Sequence, residues 1–262
     1  MLAIPDRVAC ASYVSTEPYV IAALVLGRSL ERSGWPHETL LLVTDCVTTT
    51  SRERLAQFWQ RIVEVEPIAN PHPAAARGLE TSSECYTKLN LWQQTELEKL
   101  VYVDADTVVL GSLEPLLDRP SFAAAPCMWP SDRFNAGVLV LDPSDDIYQS
   151  MVAQIGRLPS YDGSDQGFLN SYFADWFTGP PERRLPSEYN ASHFLYMYGP
   201  AWRDMLPRLR VLHFMGPRKP WRQRSRLRRR LVKRLLIRFA RAPAGLPSPF
   251  ELWWQLRDTL PD

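Results

Sequence analysis

LVYVDADTVVL, residues 100–110, places two carboxylates inside an apolar run rich in β-branched residues. Val101, Val103, Val108 and Val109 predict a buried strand, because branched side chains pack well on a pleated surface. Asp104 and Asp106 stand two apart, and alternate side chains of an extended chain share a face. One unpaired carboxylate in such a run is costly, and two repel each other. A divalent cation between them resolves both problems, and hard oxygen ligands suit Mg²⁺ or Mn²⁺. The plainer alternative is a strand that ends at Asp104, with Asp106 opening a turn.

Working outward, 262 residues can bury one large domain, or one domain and an appendage. The net charge of +1 hides an asymmetry. Residues 1–204 carry 15 Lys+Arg against 26 Asp+Glu, whereas residues 205–250 carry 14 basic groups and no acid. The body is acidic and the tail basic, which predicts a separate role for the tail. Cys10, Cys46, Cys85 and Cys127 form no C-x-x-C pair and lie in or near apolar stretches. They are expected small, buried and reduced rather than in zinc sites or disulfides. MLAIPDR does not read as a signal peptide, and no run approaches the ~18 apolar residues of a membrane span. The expected compartment is a reducing cytoplasm.

Upstream, residues 7–14 read as a strand, and Ser15-Thr16-Glu17-Pro18 opens a helix over 19–32 that stops at Gly34. Residues 38–45 form a second strand, 52–60 a helix and 61–66 a third strand. This β-α-β-α-β order predicts a mostly parallel, Rossmann-like sheet with its site at the carboxyl ends of the strands. A Pro/Ala-rich loop over 67–83 precedes a helical stretch over 86–96. Downstream, 122–126 and 134–144 read as strands, 147–157 and 165–173 as helices, and 209–214 as a last strand.

VYVDADTVVL, FNAGVLVLDPS, DGSDQGFLN and HFMGPRKPW, in that order, resemble the signatures of the glycogenin-like family 8 glycosyltransferases. STEPYVIAALVLGRSL resembles that family's nucleotide-binding opening, so the similarity spans about residues 7–221. The resemblance implies one GT-A-type α/β catalytic domain over 1–221, Mn²⁺ (or Mg²⁺), and a UDP-hexose donor carrying glucose or galactose. It also implies transfer with retention to a hydroxyl of a glycan, a lipid-linked or a small acceptor.

In those roles Asp104, Asp106 and His213 hold the metal, although His213 also reads as an ordinary core histidine. Gly216 and Lys219 meet the diphosphate, since glycine admits close backbone approach and lysine supplies a point charge. Asp162 binds sugar hydroxyls, and Asp165 and Gln166 lie against the reacting face of the sugar. The plain reading of Asp162 and Asp165 is a helix cap and a first-turn acid. Lys88 and Asn135 match positions near the diphosphate and sugar, and Tyr13, Ser15, Thr16 and Tyr19 match those that hold the uridine. Tyr13 stands where the family is often aliphatic and Thr16 where it carries an amide. Arg77 is the candidate for an upstream arginine, at a slightly altered spacing. Tyr196 falls near the family's self-glucosylated tyrosine.

The tail departs from the resemblance. From Arg222 to Arg241, Leu227, Leu231, Leu235 and Phe239 recur every four residues amid arginines, which predicts a basic amphipathic helix. With Phe250, Trp253 and Trp254 it reads as a segment for an anionic membrane surface at the cytoplasmic face, rather than for nucleic acid. The alternative is a terminal helix docked on the acidic body. Two rival functions compete with glycosyl transfer. One is a haloacid-dehalogenase-like phosphotransferase with Asp104 as nucleophile, and the other a non-catalytic sugar-nucleotide or glycan binder. The oligomeric state is open.

Overall fold

A computed structural model describes residues 7–72, 83–222 and 245–261. Its larger sheet is built from β1 (Val8–Val14), β2 (Glu38–Val43), β3 (Arg61–Glu64), β4 (Lys99–Val103), β6 (Ala123–Pro126) and β7 (Phe134–Leu141). The strand order is β3-β2-β1-β4-β7-β6. The first four strands run parallel, β7 is antiparallel to β4, and β6 is antiparallel to β7. β1 is apolar along almost its whole length because both faces of the sheet are covered. One face packs on α1 (Val20–Ser33) and α2 (Thr49–Leu55), through Leu26, Leu30 and Leu55. The other packs on the segment around Trp92, on α3 (Asp145–Gln154) and on α4 (Asp165–Tyr172).

The 100–110 run is not one strand. β4 stops at Val103, the chain turns through Asp104-Ala105-Asp106, and β5 (Thr107–Val109) leaves for a second sheet. That sheet has the order β5-β9-β8, with β8 at Ala191–Ser192 and β9 at Val211–His213. Thr107 N–H donates to the Asp104 carbonyl at 3.1 Å, and Asp104 N–H to the Gly137 carbonyl at 2.8 Å. The backbone of the plainer alternative is therefore the right one. The carboxylates converge through a turn and not through a shared strand face.

The helical stretch expected over 86–96 is a 3-10 helix over 85–93, not an α-helix. Nearly every side chain there is buried, so no solvent face exists for an amphipathic helix. Thr87 and Asn90 also bond the neighbouring loop, Thr87 Oγ1 accepting from Ile68 N–H and Asn90 Nδ2 donating to the Glu66 carbonyl, both at 3.0 Å. Such side-chain bonds compete with a helical ladder.

A third apolar cluster joins α1, the small sheet, α5 (Gly199–Met205) and α6 (Pro249–Arg257). Trp253 of α6 is fully buried there, and Phe250 packs edge-on to both His193 and Phe214 at 5.7 Å. This corrects the reading of Phe250, Trp253 and Trp254 as a membrane-interface cluster, because the body buries Trp253 outright and half-buries Phe250 and Trp254. The arginine-rich repeat over 223–241 lies outside the described residues, as does Arg77. No described helix is long and apolar enough to cross a membrane. None of the four cysteines is in a disulfide; Cys10 and Cys85 are buried as expected, but Cys127 is half-buried and Cys46, on the loop after β2, is exposed.

Candidate active site

Strand ends from both sheets open into one cleft. Among the described residues, it is lined by every one nominated for the metal, the sugar and the nucleotide except Thr16. Thr16 instead closes the entry to α1, its carbonyl accepting from Tyr19 N–H at 3.0 Å.

The turn after β4 aims both carboxylates at the end of β9. Asp104, Asp106 and His213 each offer one ligand atom, all within 4.8 Å of one another. Their remaining oxygens are already held. Asp104 Oδ1 accepts from Tyr102 OH at 2.5 Å and pairs with Lys88 Nζ at 3.0 Å, and Asp106 Oδ2 pairs with Lys219 Nζ. Asp104 Oδ2 and Asp106 Oδ1 are thus left facing His213 Nε2, at 3.7 and 3.2 Å. Two carboxylate oxygens and one imidazole nitrogen, pinned from behind and pointed at one another, fit a divalent cation, the nitrogen favouring a transition metal such as Mn²⁺. Burial opposes charge on Asp106, but His213 and Lys219 outweigh it and hold the carboxyl well below the usual range.

Lys88 forms the floor of the cleft. Its Nζ donates to the Ala136 carbonyl at 3.1 Å and pairs with Asp165 Oδ2 at 2.8 Å. Burial disfavours its charge, yet Asp104 and Asp165 together push its pKa above the ordinary lysine value. Because that one cation is shared, it does not fully compensate Asp165. Burial, with the nearby charge of Asp104, leaves the Asp165 carboxyl raised.

α4 positions Asp165 and Gln166. Ser164 is its N-cap, and Asp162 Oδ1 accepts from Ser164 N–H at 2.9 Å and Gly167 N–H at 3.1 Å. Asp162 therefore does the capping work of the plain reading while lining the cleft. Across the cleft Gly216 takes a left-handed φ of 75°, open to glycine without strain. That turn lets Lys219 fold back so that Nζ donates to the Phe214 carbonyl at 2.8 Å. Tyr19 packs edge-on to Trp221 at 5.2 Å. Tyr196 does not reach the cleft. It is buried edge-on to Trp202 at 5.8 Å, its hydroxyl within the core, which removes it as an acceptor in this arrangement.

Sequence reasoning missed three contributors: Tyr102, whose OH reaches Asp104, Tyr161, which accepts from Gln166 Nε2 at 2.6 Å, and Asn190. Asn190 Oδ1 lies 2.9 Å from His213 Nδ1. Tyr102 was legible as two residues before Asp104. Nothing in the sequence around Asn190 marks it.

The chain matches glycosyl transferase family 8 over residues 10–124 and 120–225. It is 38% identical over 208 residues to human glycogenin-2, covering 78% of this chain and 41% of that protein. It is 35% identical over 212 residues to glycogenin-1 of Oryctolagus cuniculus (79% and 63%). It is 32% identical over 237 residues to inositol phosphorylceramide glucuronosyltransferase 1 of Arabidopsis thaliana (82% and 43%). The chain thus spans less than two thirds of the length of these relatives. Among solved structures, the apo glycosyltransferase GlyE of Streptococcus pneumoniae superposes with a TM-score of 0.64 at 21% identity, over 98% of this chain and 61% of that one. The galactosyltransferase LgtC, with donor and acceptor sugar analogues, gives 0.60 at 21% identity, over 95% and 99%. These likenesses are of fold, and the fold is of the GT-A type. With both halves of the body matched and relatives aligned across the strands that carry the cleft, the chain belongs to glycosyl transferase family 8.

Proposed function

We propose that the protein is a metal-dependent, retaining glycosyltransferase that moves a hexose, glucose or galactose, from a UDP-sugar to a hydroxyl acceptor. The observation that carries this reading is the convergence of Asp104, Asp106 and His213 opposite the buried Lys88–Asp165 pair. A divalent cation bound there, Mn²⁺ before Mg²⁺, would neutralise charge building on the departing diphosphate. Lys219, poised at the same edge, adds a second positive charge for that diphosphate. Gly216 lets the backbone approach it, while Tyr13, Ser15 and Tyr19 at the β1 end flank the base. Asp165 stays beside the reacting carbon, held by Lys88, to stabilise positive charge developing on the sugar. Asp162 and Asn135 meet the sugar hydroxyls.

Burial of Tyr196 favours an external acceptor over self-glycosylation. The family match removes the dehalogenase-like reading. Asp104 there would have to attack phosphorus with an oxygen already engaged by Tyr102 and Lys88. We place the catalytic unit within residues 1–221, with α6 as its support. An anionic-surface role for 223–241 rests on sequence alone, and vesicle co-sedimentation at low and high salt tests it.

The deciding experiment measures UDP release from UDP-glucose, UDP-galactose and UDP-glucuronate, with Mn²⁺ or EDTA. Turnover of one donor in Mn²⁺, lost in EDTA and in Asp104→Asn, is the expected result. Equal turnover in EDTA would refute the metal role. Tight UDP-sugar binding without turnover would favour the non-catalytic binder.

A further inference from the structure

Four polar side chains behind the metal cluster form a directional chain. Ala136 N–H donates to Gln166 Oε1 at 3.2 Å, and Gly137 N–H donates to Asn135 Oδ1 at 3.0 Å. A backbone N–H can only donate, so each contact fixes which end of an amide faces it. With Gln166 Oε1 so fixed, Asn135 Nδ2 donates to it at 2.7 Å. With Asn135 Oδ1 fixed, Asn190 Nδ2 donates to that oxygen at 2.8 Å. Asn190 is then left with its carbonyl oxygen toward His213 Nδ1, at 2.9 Å. An amide oxygen only accepts, so the ring nitrogen beside it must carry the proton.

We propose that Asn190 is a positioning residue for the metal site: as the end of this amide relay, it keeps His213 protonated on Nδ1 and its Nε2 aimed between Asp104 and Asp106, so that Nε2 is the nitrogen an ion takes. The polarity of the relay is set two residues away by the β7 backbone, not by the metal or the sugar. The ring of His213 is thereby oriented from the protein side, with Nδ1 protonated and Nε2 the nitrogen left for an ion. Nε2 faces carboxylate oxygens at 3.7 and 3.2 Å and trades any proton of its own for the arriving ion, but a bare Nδ1 would leave Asn190 Oδ1 facing a second acceptor inside the protein. A buried acceptor pair of that kind is costly. The relay also gives Gln166 a definite duty. Its carbonyl oxygen is committed to two donors, and its amide nitrogen to Tyr161 OH. In this arrangement Gln166 orients its neighbours as well as lining the cleft.

The inference rests on the metal reading of the cleft, and its test is separable from that reading. The ¹⁵N shifts of the His213 ring are recorded on the whole protein in chelator. Mn²⁺ affinity is measured in parallel by electron paramagnetic resonance of the free ion. The wild type should show a protonated Nδ1. Asn190→Leu, which keeps volume and removes the acceptor, should lose that tautomer preference and bind Mn²⁺ about 10–100-fold more weakly. Asn190→Asp, which restores an acceptor, should recover the Nδ1–H tautomer. A wild-type ring bare at Nδ1 would overturn the proposal whether or not any variant folds. So would Asn190→Leu with unchanged tautomer and Mn²⁺ affinity. A wild type with the expected tautomer that binds no Mn²⁺ would refute the metal reading, and with it the purpose assigned to the relay.

Discussion

Gly137 tests the site without replacing any proposed ligand. A Cβ placed there would lie 2.2 Å from His213 Cε1, 2.5 Å from His213 Nδ1 and 2.8 Å from Asn135 Oδ1. Ordinary carbon contacts begin near ~3.5 Å, so a Gly137→Ala methyl must drive the imidazole back by roughly 1 Å or bend β7 by as much. His213 cannot yield easily, because it is buried and paired in register with Thr107. Metal sites tolerate ligand displacements of only about 0.2 Å. Gly137→Ala should therefore weaken Mn²⁺ binding about 10–100-fold, or ~1.4–2.8 kcal/mol. Overpacking should cost a further ~1–3 kcal/mol of stability. Free-ion electron paramagnetic resonance reads the first quantity, and urea unfolding in EDTA reads the second. In a His213→Ala background the added methyl should lose most of its destabilising effect, because the two changes share one contact. A folded Gly137→Ala protein with wild-type Mn²⁺ affinity would refute the argument.

Three further outcomes follow from other contacts. Asp165→Asn should lower turnover on the order of a hundredfold or more while leaving UDP affinity nearly intact, since its carboxylate acts on the sugar. Calorimetric loss of UDP binding in that variant would contradict the assignment. Trp253→Ala should destabilise the protein by ~3–5 kcal/mol in denaturant titrations, because the ring is fully buried between α6 and the body. A value near zero would restore the view of α6 as a detachable tail. Glu17 accepts from Thr48 N–H at 2.6 Å and Ser51 Oγ at 2.8 Å at the start of α2, and the Thr48 bond lowers its pKa. A depressed carboxyl stabilises above its unfolded pKa and loses that contribution as pH falls through the folded value. The difference in Tm between wild type and Glu17→Gln should thus be present at pH 7 and vanish in acid; a difference that does not change with pH would be inconsistent with this assignment.

Much of this site was legible because its chemistry is local. Asp104 with Asp106, and the run from Asp162 to Gln166, carry their signal within five residues, and periodicity gave the parallel strands that deliver them. What stayed hidden depends on partners far apart in the chain. The break between β4 and β5 is stabilised by Gly137 and by the second sheet, neither of which marks residues 100–110. Asn190 acquires its role only when β9 brings His213 against it. The aromatic α6 misled for the opposite reason. A Trp-rich segment beside a basic stretch has the same local signature whether it meets lipid or the vacant side of a core.

The split of the 100–110 run has a mechanical consequence. Asp104 hangs from the last strand of the large sheet before the turn, whereas His213 belongs to the small one, with Asp106 on the link between them. An ion held by all three is a further cross-link between two layers that the Asn190–Asn135 hydrogen bond already ties. By linkage, whatever holds the layers together favours the ion, and the ion in turn resists their separation. Amide exchange in β5, β8 and β9 should slow when Mn²⁺ is added, while β2 and β3 remain unaffected. The small sheet would then act as a gauge of metal occupancy, readable from backbone protection without any sugar being transferred.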